Sequence, residues 1–154
     1  MTHDQHAQRC PVCSGVAVPF VTIAGRAYLR CDACAARFLA PAYFLTLAEE
    51  HAHYLHHENE VDDPRYRRFL SKLAVPLLAR LPAGAEGLDY GCGPGPALAA
   101  MLEEAGHPMA LYDPFFAPDP APLAATYDFV TCTEVAEHFH HPAVEFARLR
   151  AMVR

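Results

Sequence analysis

Apolar residues recur along this chain with two different periods, and the change of period divides it. Val16 to Ile23 and Ala27 to Leu29 are short apolar runs suited to strands, with Gly25 near the turn between them. From 40 to 62 the apolar positions fall at helical spacing, with Tyr43, Phe44, Leu47 and Leu55 as packing positions. Asp63-Pro64 opens a second helix, aspartate as N-cap and proline at the first helical position. Tyr66, Phe69, Leu70, Leu73 and Leu77 follow at spacings of three and four, until Pro76 bends or ends the helix. Pro82-Ala83-Gly84 breaks the chain before a third region. There a strand is predicted over Gly87 to Tyr90, and a helix over Pro96 to Ala105. Leu98, Met101 and Leu102 lie on one face of that helix, and Gly106 stops it. Further strands are predicted over Met109 to Tyr112 and Tyr127 to Cys132. A short helix is predicted from Glu134. A last one opens at Pro142, with Val144, Ala147 and Ala151 as its apolar positions. Strands alternating with helices imply a parallel sheet.

Composition narrows the class without naming it. The 154 residues are 53% hydrophobic and 19% charged, enough for a real core. No apolar run reaches the roughly 20 residues of a membrane span. The start, Met1 to His6, lacks the basic-then-apolar design of a signal peptide, so the expectation is a cytoplasmic protein without membrane contact. A net charge of −6 gives no global attraction to nucleic acid. The clusters Arg65, Arg67, Arg68 and Arg148, Arg150, Arg154 read as solvated helix faces. The histidines at 51, 53, 56 and 57 lack a clean ligand spacing and read as a polar helix face. Five prolines between Pro108 and Pro122 mark an irregular connection.

The cysteines divide into two kinds. Cys10-x-x-Cys13 and Cys31-x-x-Cys34 stand 17 residues apart, a spacing that suits a four-thiolate zinc ribbon. About 40 residues hold too little core to fold unaided, and a metal would supply the missing stability. Two disulfides or one redox pair are the competing readings; a cytoplasmic chain disfavours the first, and the second needs only one knuckle. Four thiolates leave no open coordination position, so the zinc reads as structural. Cys92 and Cys132 stand alone in core elements and read as small buried hydrophobes.

The densest chemistry is Asp89-Tyr90-Gly91-Cys92-Gly93-Pro94-Gly95, with Asp113 ending the next strand 24 residues after Asp89. Glycines at alternate positions after a strand let a ligand approach bare backbone. A carboxylate at the next strand end can accept hydrogen bonds from ribose hydroxyls. The spacing differs from the Gly-x-Gly-x-x-Gly of nicotinamide enzymes, and Leu98 stands where that pattern wants its last glycine or alanine. Together with Tyr127-Asp128-Phe129-Val130 and Glu134-Val135-Ala136-Glu137-His138, the segment from Leu88 to Met152 resembles the class I S-adenosylmethionine-dependent methyltransferases.

The resemblance implies a Rossmann-like α/β sheet, here incomplete with about four strands, behind a zinc ribbon and a helical linker. The boundaries read as 1–40, 41–80 and 81–154. It implies S-adenosylmethionine held by Asp89, Gly91, Cys92, Gly93, Gly95, Asp113 and Thr133, and methyl transfer to an oxygen or nitrogen of a small molecule or RNA. His138, with Glu137, would remove the acceptor's proton. In small-RNA 2'-O-methyltransferases and ubiquinone-pathway enzymes the E-x-x-E-H segment binds a divalent ion. Glu134, Glu137 and His138 would share a helix face and so form a second metal site, for magnesium. The ribbon-first order is similar to that of a bacterial 23S rRNA guanine methyltransferase, whose second knuckle has Cys and His instead of two cysteines. Only 13 residues, four of them proline, separate Asp113 from Tyr127, where the family places a helix and a strand. The family's next turn and fifth strand are not in the sequence, which therefore reads as C-terminally truncated. A non-catalytic adaptor, joining the ribbon to a degenerate half-fold, is the reading from another class.

Overall fold

The computed structural model describes residues 8–54 and 60–154. Met1 to His6, Leu55, His56 and His57 lie outside the described residues, as do the side chains of Leu47, His51 and His53. The first unit is an antiparallel sheet of β1 (Gln8–Arg9), β2 (Val16–Ile23), β3 (Arg26–Cys31) and β4 (Arg37–Leu39), in that spatial order. Ala24 and Gly25 both have positive φ, at 49° and 77°, and join β2 to β3 in a two-residue turn. Such a turn matches the twist of the strands it connects. One face of the sheet covers a small core of Ala17, Leu29 and Ala40, with Ala27 and Phe38 beside it.

A 3-10 turn over Pro41–Tyr43 and helix α1 (Leu47–Tyr54) follow, in place of one long helical pattern. Thr46 caps α1: Glu49 reaches back to the Thr46 backbone N–H at 2.8 Å, while the Glu49 N–H donates to Thr46 Oγ1 at 3.3 Å. Tyr43 and Phe44 are largely exposed and lie outside the buried core their spacing suggested, although Phe44 meets the His140 ring. Helix α2 (Pro64–Leu78) starts as predicted, with Asp63 Oδ1 accepting from the Arg65 N–H at 2.8 Å. Pro76 sits in its last turn, and the helix ends two residues later.

The second sheet is parallel, in the order β6 (Met109–Tyr112), β5 (Gly87–Tyr90), β7 (Phe129–Thr131). Every residue of β5 is buried, as a central parallel strand requires. On one side α2 and α3 (Ala97–Glu104) supply Leu70, Ala74, Leu98 and Leu102 to a core that includes Phe129. On the other, Leu88, Tyr90 and Tyr127 pack with Met152, which follows helix α4 (Pro142–Ala151). A mixed α/β unit with this parallel sheet is Rossmann-like.

Two expectations are corrected here. The described residues form three parallel strands, with one isolated parallel bridge between Tyr127 and Val153, where about four strands were expected. Pro114, Pro118, Pro120 and Pro122 explain the shortfall, because each lacks the N–H a ladder needs. That stretch instead makes an Asp113–Ala117 bridge and a 3-10 turn over Ala121–Ala124. The inward face of α4 is also rotated from prediction. Val144 is 58% exposed, and Pro142, Glu145 and Leu149 face inward instead.

Candidate functional site

Strand β5 continues to β6 on one side, through α3, while β7 lies on the other. The carboxyl end of β5 is therefore the point where the connections diverge, which is where ligands enter sheets of this kind. The glycine loop occupies that point. Gly91 N–H donates to Tyr112 O at 2.7 Å, which ties the loop to the end of β6. Gly91 has φ 79°, and a Cβ there would collide with the Val135 side chain. Gly93 has φ 66°, yet a Cβ there would meet nothing within 4 Å. The first glycine serves packing, and the second leaves open space at the cleft.

Asp113 stands opposite. It is buried, and its carboxylate accepts from Gly93 N–H at 3.0 Å, Phe115 N–H at 2.8 Å and Phe116 N–H at 3.1 Å. A carboxylate has about four acceptor sites. Three are in use, so Oδ2 can take one ribose hydroxyl without disturbing the loop. A second hydroxyl would have to displace a backbone partner. Asp113 N–H and Ala117 N–H each donate to the other residue's carbonyl, at 3.0 and 3.1 Å, and close a short loop carrying Phe115 and Phe116. Both rings line the cleft. Sequence reasoning missed them, although an aromatic pair two residues after the acid was a visible signal.

Asp89 is buried below the loop and accepts from Thr131 Oγ1 at 2.7 Å. Burial pushes its carboxyl up to about 6; the Thr131 hydroxyl opposes this and the nearby Asp113 charge adds to it. A cavity of about 20 Å³ between Asp89, Gly95 and Tyr66 has room for about one water. Tyr66 comes from α2 and was read from sequence as packing alone. Thr133 Oγ1 is buried at the same place without a hydrogen-bond partner. Burial raises the Cys92 thiol to about 12 and the Cys132 thiol to about 11, which suits packing and not nucleophilic chemistry.

The larger cleft, about 740 Å³, runs from Gly93 and Asp113 to Glu134, Glu137, His138 and His140. The predicted short helix at its far end is absent. Glu134 takes φ 56°, so the chain turns there, and only a 3-10 turn over Ala136–His138 follows. Glu134, Glu137 and His138 therefore do not share a helix face, and the spacing argument for a magnesium site fails. Phe139 packs edge-on to Tyr90 at 6.3 Å between ring centres. His140 bonds Glu50 of α1 at 2.9 Å and meets Phe44 edge-on at 5.5 Å. Along the wall, Tyr90 donates to Glu145 and accepts from Arg148 at 3.2 Å. Burial and then Glu145 raise the Tyr90 hydroxyl to about 12, so it stays protonated as a donor.

These features compose a glycine loop, an acid at the next strand end and a cleft with an orphaned hydroxyl. A sequence model described as a methyltransferase domain matches residues 54–154, about two thirds of the chain. The chain belongs to the methyltransferase-domain family. No curated protein matches it. Family membership is that of the class I S-adenosylmethionine-dependent methyltransferases, and the match takes in α2 as well as the parallel sheet. The residues present fit that cofactor: Gly93 leaves space, Asp113 keeps an acceptor, and Thr133 Oγ1 lacks a partner.

A second site lies in the N-terminal sheet. Cys10, Cys13, Cys31 and Cys34 place their sulfurs within 4.8 Å of one another, and among the described residues no other set of three or more possible ligands does so. The Cys10–Cys34 and Cys13–Cys31 sulfur separations are 3.7 and 3.5 Å. Tetrahedral zinc at 2.3 Å from each sulfur would need about 3.8 Å. The two knuckles repeat one backbone design. Ser14 N–H donates to Cys10 O and Ala35 N–H to Cys31 O, and both Ser14 and Ala35 have φ 61°. The Cys34 N–H, 3.5 Å from the Cys31 sulfur, leads the causes that bring that thiol down to about 7. Cys34 moves the opposite way: the Ala36 backbone contact lowers it, but hydrogen bonds with Cys13, Cys31 and Cys10 together with burial raise it to about 12, so these thiols share protons that a metal would displace.

Proposed function

We propose that the chain transfers a methyl group from S-adenosylmethionine to an oxygen or nitrogen of a small molecule or RNA, in the cytoplasm, with a structural zinc in an N-terminal ribbon. The observation that carries the reading is the single cleft joining Gly93 and Asp113 to Glu137 and His138. When bound, the cofactor supplies a sulfonium-activated methyl group. The chain itself then binds, orients and removes a proton. Asp113 Oδ2 accepts a ribose hydroxyl, and Phe115 and Phe116 offer apolar surface to the adenine. Asp89 and Thr133 serve the polar end of the methionine moiety. His138 takes the acceptor's proton, with Glu137 beside it in sequence.

The test is thermal stabilisation by S-adenosylhomocysteine. Ligand at 100 times its Kd adds about 2.7 kcal/mol, and Asp113→Ala removes the rise. His138→Ala keeps the rise and lowers turnover by about 10²-fold or more. No stabilisation of the wild-type chain would favour the non-catalytic adaptor.

A further inference from the structure

Strand register places all the basic residues of the N-terminal sheet on one face. In β3, Arg26, Tyr28 and Arg30 alternate outward, while Ala27, Leu29 and Cys31 turn to the core. Their cross-strand partners share that outer face: Ile23 beside Arg26, Val18 and Arg37 beside Arg30, and Arg9 beside Val16. Residues 8–40 hold four arginines and one aspartate on a chain of net −6. A zinc tetrathiolate would add a formal −2, but Cys31 points to the opposite face.

Three features of this face point to a ligand. Arg30 and Arg37 are directly opposite each other, and like charges in that position cost stability unless an anion lies between them. Among the described residues none of these four arginines forms an ion pair, so all four are open to an external anion, a state they share with Arg68, Lys72, Arg80 and Arg150. Third, the face is apolar between its charges. Phe20, Val18 and Ile23 are exposed, and the Arg37 guanidinium lies over the Phe20 ring at 4.7 Å.

We infer that this outer face binds single-stranded nucleic acid, phosphates on the arginines and unpaired bases on Phe20 and Tyr28. Strand-spaced cations with aromatic platforms match a polyanion with flat, apolar units. Duplexes hide their bases, while RNA loops and ends present them. The negative remainder of the chain repels a polyanion and leaves this face as its landing surface. The inference stands apart from the methyl-transfer reading.

The test is fluorescence anisotropy of a 12-nucleotide unstructured RNA with the full zinc-loaded chain. Four neutralised phosphates predict a log–log salt slope of about −2.8, or roughly 50-fold weaker binding at 200 mM than at 50 mM salt. Arg30→Gln with Arg37→Gln halves the slope to about −1.4. Phe20→Ala weakens binding about tenfold with the slope unchanged. Arg80→Gln, far along the chain, changes neither. Zinc content of each variant confirms an intact sheet, and Arg30→Lys with Arg37→Lys restores the slope if the glutamine pair loses zinc. No binding at 50 mM salt would overturn the inference. So would equal affinity for duplex RNA, or tighter arginine-dependent binding to phosphatidylglycerol vesicles. S-adenosylhomocysteine stabilisation of the same samples reads the methyl-transfer proposal separately.

Discussion

The N-terminal sheet and the parallel sheet solve the same problem with opposite means. The parallel sheet hides β5 completely and packs Leu70, Leu98 and Leu102 on one side, with Leu88, Tyr127 and Met152 on the other. Apart from the cluster cysteines Cys10 and Cys31, the N-terminal sheet has a buried core of only Ala17, Leu29 and Ala40, and leaves most of β2 exposed. Burial at about 25 cal/mol per Å² can hold the first together. It offers the second far less, and there four sulfurs meet at one point instead. One half is stabilised by solvent exclusion, while the other gathers four thiols that could hold a metal ion.

The largest expected effect separates the halves outright. Structural zinc contributes an apparent 10–16 kcal/mol at neutral pH in small domains. Chelation of the metal, or Cys31→Ser, should therefore abolish hydrogen-exchange protection in β2 and β3 and leave β5 and β6 protected. Elemental analysis should give one zinc per chain before treatment. Simultaneous loss of protection in both sheets would break the comparison.

The reverse probe is smaller. Leu102 is fully buried between α3 and the sheet. Leu102→Ala should cost about 2–5 kcal/mol by chemical denaturation of the parallel-sheet unit. Cysteine reactivity at Cys10 and Cys31 in the zinc-loaded protein should not change. Reactive thiols in that variant would show that the N-terminal sheet leans on the other core.

The two halves also differed in how much their sequences revealed. Strands β2, β5 and β6 were legible to the residue, because apolar runs bounded by glycine, proline or acid leave little choice of register. The knuckle spacing disclosed the cysteine cluster, since a CxxC constrains both sulfurs locally. The start of α2 was legible from Asp63-Pro64, while the Thr46-x-x-Glu49 capping box was as plain and went unread. What failed depended on distant contacts. The inward face of α4 is set by Glu145 meeting Tyr90, a pairing no local periodicity contains. The E-x-x-E-H segment has helical spacing, but left-handed backbone at Glu134 puts the chain into a turn. The arginine face was hidden because Arg9, Arg26, Arg30 and Arg37 are scattered in sequence and meet only through strand register.

Asp89 tests the cost of placing function inside a hydrophobic half. Its carboxyl titrates at about 6 in the fold against an ordinary 3.8, because burial disfavours the anion. Below pH 3.8 the group is neutral folded and unfolded, and the penalty is absent. As pH rises from 3.8 to 6 the unfolded chain ionises first, so stability falls through that window. Above pH 6 the full penalty, up to about 3 kcal/mol, is in place. Asp89→Asn keeps an acceptor for Thr131 and should flatten the melting temperature across pH 4 to 6. An unaltered profile would show that another group sets it. A cationic ligand amine at Asp89 would favour the ionised form, so S-adenosylhomocysteine affinity should weaken below pH 6 in the wild type and not in the variant.

The smallest predicted effect on stability is at Gly93, and it separates packing from function within one loop. Its neighbour Gly91 cannot accept a Cβ, because Val135 already fills that space. At Gly93 the space is open, and only the φ of 66° resists a side chain. Alanine in left-handed backbone costs about 1–2 kcal/mol. Gly93→Ala should therefore lower stability by about 1 kcal/mol, while its new methyl group stands in the cleft beside Asp113. S-adenosylhomocysteine stabilisation should fall by more than this small loss accounts for. A variant that binds as the wild type does would place the cofactor away from Gly93, and would leave the open space there as mere surface.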